Sequence, residues 1–135
     1  MSPGWRNNML RNFLLPESIA RADGTGPEFE LGPNRGKLLV LTLGITRIIE
    51  QESLDVSIWG SLDGEKWGLR PLAKFPPKFY CGIYSVLLNL AAQPEIEFVR
   101  VDWKMSRWSK GEATPMFGFY VYAEESGARI STAVA

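Results

Sequence analysis

The chain has 135 residues, 45% of them apolar, which suits a single folded domain with its own core. Fifteen Lys and Arg balance fifteen Asp and Glu, so no net field draws the whole surface to nucleic acid or an anionic membrane. Without histidine the chain lacks the usual general base, the commonest zinc ligand and the near-neutral proton switch, and a lone cysteine, Cys81, excludes an internal disulfide.

Residues 1–27 read as an N-terminal arm. Trp5, Met9, Leu10, Phe13, Leu14, Leu15 and Ile19 are apolar, but Pro3, Pro16, Gly24, Gly26 and Pro27 interrupt them. Residues 9–15 allow one or two helical turns, ended before Pro16. An arm carrying Trp5, Leu10, Phe13 and Leu14 is poorly suited to water. It either folds back on its own domain or docks on a neighbouring copy. Its longest apolar run, Phe13-Leu14-Leu15, falls short of the roughly 7–15 residues of a signal-peptide core. No segment approaches the roughly 20 apolar residues of a membrane helix. A cytoplasmic or assembly-bound protein with no membrane insertion is expected.

Residues 28–125 carry the signals of a β-sandwich domain. Phe29 and Leu31 alternate with Glu28 and Glu30 before a Gly32-Pro33-Asn34 turn. Residues 37–49 are apolar on both faces, Leu39, Leu41, Leu43 and Ile45 against Leu38, Val40 and Thr42. That pattern predicts a central strand, or one covered by the arm or a partner. Next, Leu54, Val56 and Ile58 alternate with Asp55, Ser57 and Trp59. Asp63-Gly64 then predicts a hairpin from Leu54 to Phe75, with Pro71 placing its second strand at an edge.

Residues 79–90 fit either a helical face or a loop followed by a strand over 85–90, the latter being preferred. Residues 96–105 form a strand with Val99, Val101, Trp103 and Met105 on one face, followed by a polar hairpin loop over 106–114. Residues 116–123 are the last clear strand, with Phe117, Phe119 and Val121 inward and Tyr120 and Tyr122 outward. Residues 126–135 are a small, polar C-terminal tail. Short strands with regular turn signals, and no βαβ alternation, predict an all-β antiparallel sandwich or jelly roll with an extended N-terminal arm.

The run 54–67, a strand followed by Ser61-Leu62-Asp63-Gly64-Glu65-Lys66-Trp67, is followed later by Phe98-Val99-Arg100-Val101 before Trp103 and by Phe117-Gly118-Phe119-Tyr120-Val121. Gly24-Thr25-Gly26 precedes the first strand signal. Over residues 24–124 this order resembles short β-sandwich structural proteins of tailed phages and prophages. The resemblance implies a structural, virion-associated role. The central part is also similar to discoidin-like jelly rolls, which bind sugars or lipid head groups and share the S-x-D-G-x-x-W turn and an aromatic-Val-Arg-Val strand. The chain departs from the discoidin pattern in lacking bracketing cysteines.

Nothing in the sequence assembles a catalytic centre, and no enzyme activity, cofactor or metal is expected. Glu50/Glu52, Glu95/Glu97 and Glu124/Glu125 pair carboxylates, but beside turns and strand ends where solvated charge is ordinary. Ser85, Ser106 and Cys81 have no histidine to activate them. Asp63 and Glu65 sit in no dense oxygen-ligand loop of the kind that holds calcium.

The best binding candidates lie in the aromatic-basic stretch 103–110: Trp103, Arg107, Trp108 and Lys110. Trp59, Tyr120 and Tyr122 extend the same outer face if their strands are neighbours. The stretch equally reads as an amphipathic hairpin over its own core. The expected partners are further copies of the chain or a larger protein assembly, with a glycan as the alternative ligand. Three cations in a neutral chain do not make a nucleic-acid site.

Overall fold

A computed structural model describes residues 10–49, 52–78, 80–107 and 116–126. Nine strands run through them: β1 (Arg11–Ala20), β2 (Gly24–Thr25), β3 (Phe29–Glu30), β4 (Leu38–Ile49), β5 (Glu52–Ser61), β6 (Ala73–Lys74), β7 (Gly82–Asn89), β8 (Phe98–Arg107) and β9 (Met116–Glu125). Single 3-10 turns follow β3 and β7. Among the described residues no helix is long and apolar enough to cross a membrane.

The strands form two antiparallel sheets. One has the order β1-β9-β4-β7; the other has β2-β8-β5-β6, with β3 also on β8. The pairings nest: β1 with β9, β2 and β3 with β8, β4 with β7, β5 with β6. Hairpins wound inside one another across two sheets make a jelly roll, the architecture expected from the strand pattern.

The inner faces follow from period-2 alternation. From the four-stranded sheet, Leu39, Leu41, Leu43 and Ile45 of β4 and Phe117, Phe119, Val121 and Ala123 of β9 are buried. From the five-stranded sheet, Leu54, Val56 and Ile58 of β5 and Val99 and Val101 of β8 meet them. Phe75 and Leu31, from outside these strands, are buried in the same core. β4 is central, between β9 and β7, the position its apolar pattern predicts.

The N-terminal segment folds back on its own domain, the first of the two expected alternatives, but as a strand. Instead of helical turns, residues 11–20 form β1, paired along β9 from Arg11↔Glu124 to Ala20↔Phe117. Leu10, Leu14, Leu15 and Ala20 are core residues, whereas Phe13 is exposed. Register shifts on either side of Leu15 let β1 turn both Leu14 and Leu15 inward, which strict alternation forbids. Trp5 lies outside the described residues.

Three other elements differ in extent. β5 and β6 are antiparallel neighbours, but residues 62–72 connect them and β6 is two residues long, so Asp63-Gly64 is one turn within a long loop. β7 begins at Gly82, three residues before the expected strand. β8 continues through Ser106 and Arg107, which were expected in a loop. Most of that loop, and the tail beyond Ser126, fall outside the described residues.

Candidate functional site

The candidate binding residues divide among three environments. Tyr120 and Tyr122 stand on the outer face of the four-stranded sheet, and Phe13 of β1 packs edge-on against both, at centroid distances of 5.7 and 4.9 Å. Trp59 stands on the outer face of the other sheet, cross-strand from Arg100. The expected common face therefore does not form: Trp59 and the tyrosines lie on opposite sides of the sandwich, because their strands belong to different sheets.

Trp103 belongs to neither face. It alternates in phase with the buried Val99 and Val101, so its ring turns between the sheets and meets Phe119 edge-on at 5.5 Å. Its indole N–H donates to the Ala22 carbonyl at 3.0 Å. This half-buried Trp is a packing residue, and the reading of Trp103 as a surface contact is corrected accordingly. Arg107 is placed by its backbone pairing with Glu52. Trp108 and Lys110 lie outside the described residues.

On the outer face of the five-stranded sheet Asp55 faces Lys104, Ser57 faces Asp102 and Trp59 faces Arg100. Thr25 donates to Asp102 at 2.8 Å. A shallow pocket of about 170 Å³ opens between Trp59, Lys74, Asp102 and Lys104. This surface is polar and carries charges of both signs.

The outer face of the four-stranded sheet is different. From β9 to β7 its cross-strand rows read Tyr122–Thr42–Ser85, Tyr120–Gly44–Ile83 and Glu124–Val40–Leu87. Towards β7 the apolar side chains lose their cover: Ile83 is 71% exposed and Leu87 61%. Such residues on a sheet's solvent face are the usual mark of a covered or contacting surface.

β7 is also an edge, and the four edges of the sandwich are not equivalent. β1 carries Pro16, Glu17 and two register shifts. β2 and β3 are two residues each, separated by Gly26-Pro27. β6 is two residues long, between Pro71 and Pro76-Pro77, and carries Lys74. Each of these devices discourages strand addition. β7 has none of them: eight consecutive residues pair with β4 in unbroken register, with no proline and no Asp, Glu, Lys or Arg.

A separate groove of about 620 Å³ lies between the loop 62–72 and residues 93–96. Leu72, Ile96 and Trp67 give it an apolar lining; Lys66, Arg70, Gln93 and Glu95 add polar groups. The Arg100 guanidinium lies 4.2 Å from the Trp67 ring centroid and fixes the indole at the groove. The loop is pinned at its start. Ser61 Oγ accepts the backbone N–H groups of Asp63 and Gly64 at 3.2 and 2.8 Å and donates to Asp63 at 3.0 Å. Asp63 in turn accepts the N–H groups of Glu65 and Lys66 at 2.8 and 3.0 Å. Gly64, at φ 81°, supplies the left-handed residue that this turn requires.

Those bonds explain the charge state of Asp63. The Lys66 N–H first, then the Glu65 N–H and the Ser61 hydroxyl, hold its pKa at about 2, below the ordinary 3.8. The turn thus employs its carboxylate structurally. The groove is not legible in the sequence, because residues 93–96, which face Trp67 across it, are remote in the chain.

The carboxylate pairs are separated in role. Glu97 pairs with Arg35 at 3.2 Å and Glu125 with Lys37 at 3.0 Å, whereas Glu95 is exposed and Glu124 sits cross-strand from Arg11. Cys81 is exposed. Among the described residues no three His, Cys, Asp or Glu side chains cluster as a metal site would need. The chain matches no protein-family model and no curated protein.

Proposed function

We infer that the protein is a non-catalytic assembly module, a jelly roll whose task is to hold other protein chains, copies of itself first among them. One observation carries this reading: the outer face of the four-stranded sheet exposes Phe13, Ile83 and Leu87 and ends in an edge strand that lacks every protective device the other edges carry. The likeness of residues 24–124 to phage structural sandwiches agrees with it.

The test is the mass of the full chain in solution, by native mass spectrometry and by sedimentation over a hundredfold concentration range. Oligomers that dissociate on dilution are expected. A chain that stays monomeric at the highest concentration would count decisively against assembly with itself.

The second reading is glycan binding, favoured by the groove beside Trp67. An indole held by a guanidinium, beside Lys66, Arg70, Gln93 and Glu95, combines a stacking surface with hydrogen-bonding groups. Titration with oligosaccharides should then quench or shift tryptophan fluorescence, and the response should disappear in Trp67→Ala. An unresponsive glycan array would dispose of this reading.

A further inference from the structure

We propose that two copies of the chain pair through β7, strand to strand and antiparallel about a two-fold axis at Ser85, so that the two four-stranded sheets become one continuous eight-stranded sheet. This deepens the assembly reading above and rests on it.

The backbone selects the kind of partner. The Leu90 N–H donates to the Lys37 carbonyl at 2.9 Å, and Leu38 pairs with Asn89 in the same ladder. In an antiparallel pair, hydrogen-bonding direction alternates residue by residue. Residues 84, 86 and 88 therefore face β4, and the N–H and C=O groups of Ile83, Ser85 and Leu87 face away from it. Among the described residues no strand pairs with that side of β7. What satisfies a row of alternating donors and acceptors is another extended strand.

The side chains select which strand. With Ser85 on the axis, Ile83 of each copy stands opposite Leu87 of the other, and Ser85 opposite Ser85. The two exposed apolar residues of the strand's outer face meet each other twice. Sliding the register by two residues would place Ile83 opposite Asn89, or Leu87 opposite Cys81, and lose both matches. β7 carries no Asp, Glu, Lys or Arg, so self-apposition sets no like charges against each other. The pairing gives cover at the seam to Ile83 and Leu87, which are 71% and 61% exposed in the single copy.

The experiment is disulfide trapping in the full chain. The native thiol is removed by Cys81→Ser, and a single cysteine is placed by Ser85→Cys or, on the opposite sheet's exposed outer face, by Lys104→Cys. Residues facing each other across a hydrogen-bonded pair have Cα atoms about 5.5 Å apart, within the range a disulfide spans. Under mild oxidation the Ser85→Cys chain should form covalent dimer at least tenfold faster than the Lys104→Cys chain. Leu87→Lys, which alters only an exposed side chain, should weaken the non-covalent dimer at least tenfold. Oligomers that show no preference for cross-linking at residue 85 would overturn the β7 pairing and leave assembly standing. A monomer at every concentration would overturn both.

Discussion

Tyr120 lies over Gly44, its cross-strand partner: the phenol ring occupies the space that a side chain at residue 44 would need. Phe13 holds the same ring from the other side, at 5.7 Å. The glycine in central strand β4 is therefore a seat for an aromatic residue on the outer face. Gly44→Val should expel the ring and lower stability by about 1–3 kcal/mol, measured by urea unfolding. In the double variant with Tyr120→Ala the loss should be less than the sum, because the clash disappears. Additive losses would show that the two residues do not interact.

Trp103 provides the converse case, a tryptophan that faces inward. Its contacts with Phe119 and with the Ala22 carbonyl make it part of the core. Trp103→Ala should cost about 2–4 kcal/mol, somewhat less than a fully buried Trp because the residue is only half-buried. Trp59→Ala, on the outer face, should cost under about 1 kcal/mol. Equal effects in chemical denaturation would contradict this placement.

The same contrast shows what was legible beforehand. β5 and β9 alternate cleanly, Leu54-Val56-Ile58 and Phe117-Phe119-Val121, and period 2 placed both correctly inside a sandwich. β1 escaped because the adjacent Leu14 and Leu15 are both buried, through a bulge that sequence periodicity cannot register. β7 was ambiguous for a related reason: Ile83 and Leu87 are apolar on the exposed face, so Tyr84, Val86 and Leu88 did not stand out. The open edge follows from topology, which depends on the β4–β7 pairing between distant segments. The division of Trp59 from Tyr120 and Tyr122 was equally invisible, since each strand alternates correctly and only sheet membership separates them.

The Asp63 turn makes a pH-dependent contribution with a definite sign. Its carboxyl has a pKa of about 2 in the folded chain, against 3.8 ordinarily, so the folded state favours the charged form. The stabilisation is complete above about pH 4 and is lost as pH falls through about 2. The melting temperature of the wild type should exceed that of Asp63→Asn by a constant margin at neutral pH, and the margin should close between about pH 4 and pH 2. Full solvent exposure keeps the effect small. A margin that does not change with pH would mean that the carboxylate charge contributes nothing to the turn.

β1 holds two neighbouring residues with opposite duties. Leu14 is 2% exposed and sits in the core cluster, whereas Phe13 is 45% exposed and packs edge-on against the outer tyrosines. Leu14→Ala removes buried methyl groups from between the sheets and should cost about 2–5 kcal/mol. Phe13→Ala should cost about 1 kcal/mol, the scale of edge-on aromatic contacts. The pair also decides how truncations must be read. Removing residues 1–9 spares every residue of β1, and a cooperative melt of that variant beside a changed oligomeric state would report on assembly. Removing residues 1–20 strips Leu14, Leu15 and Ala20 from the core and exposes the flank of β9. That longer deletion should unfold the domain, seen as lost cooperativity in thermal melting, before it says anything about partners. A cooperative, native-like melt after the longer deletion would show that β1 is dispensable to the sandwich and acts as an arm after all.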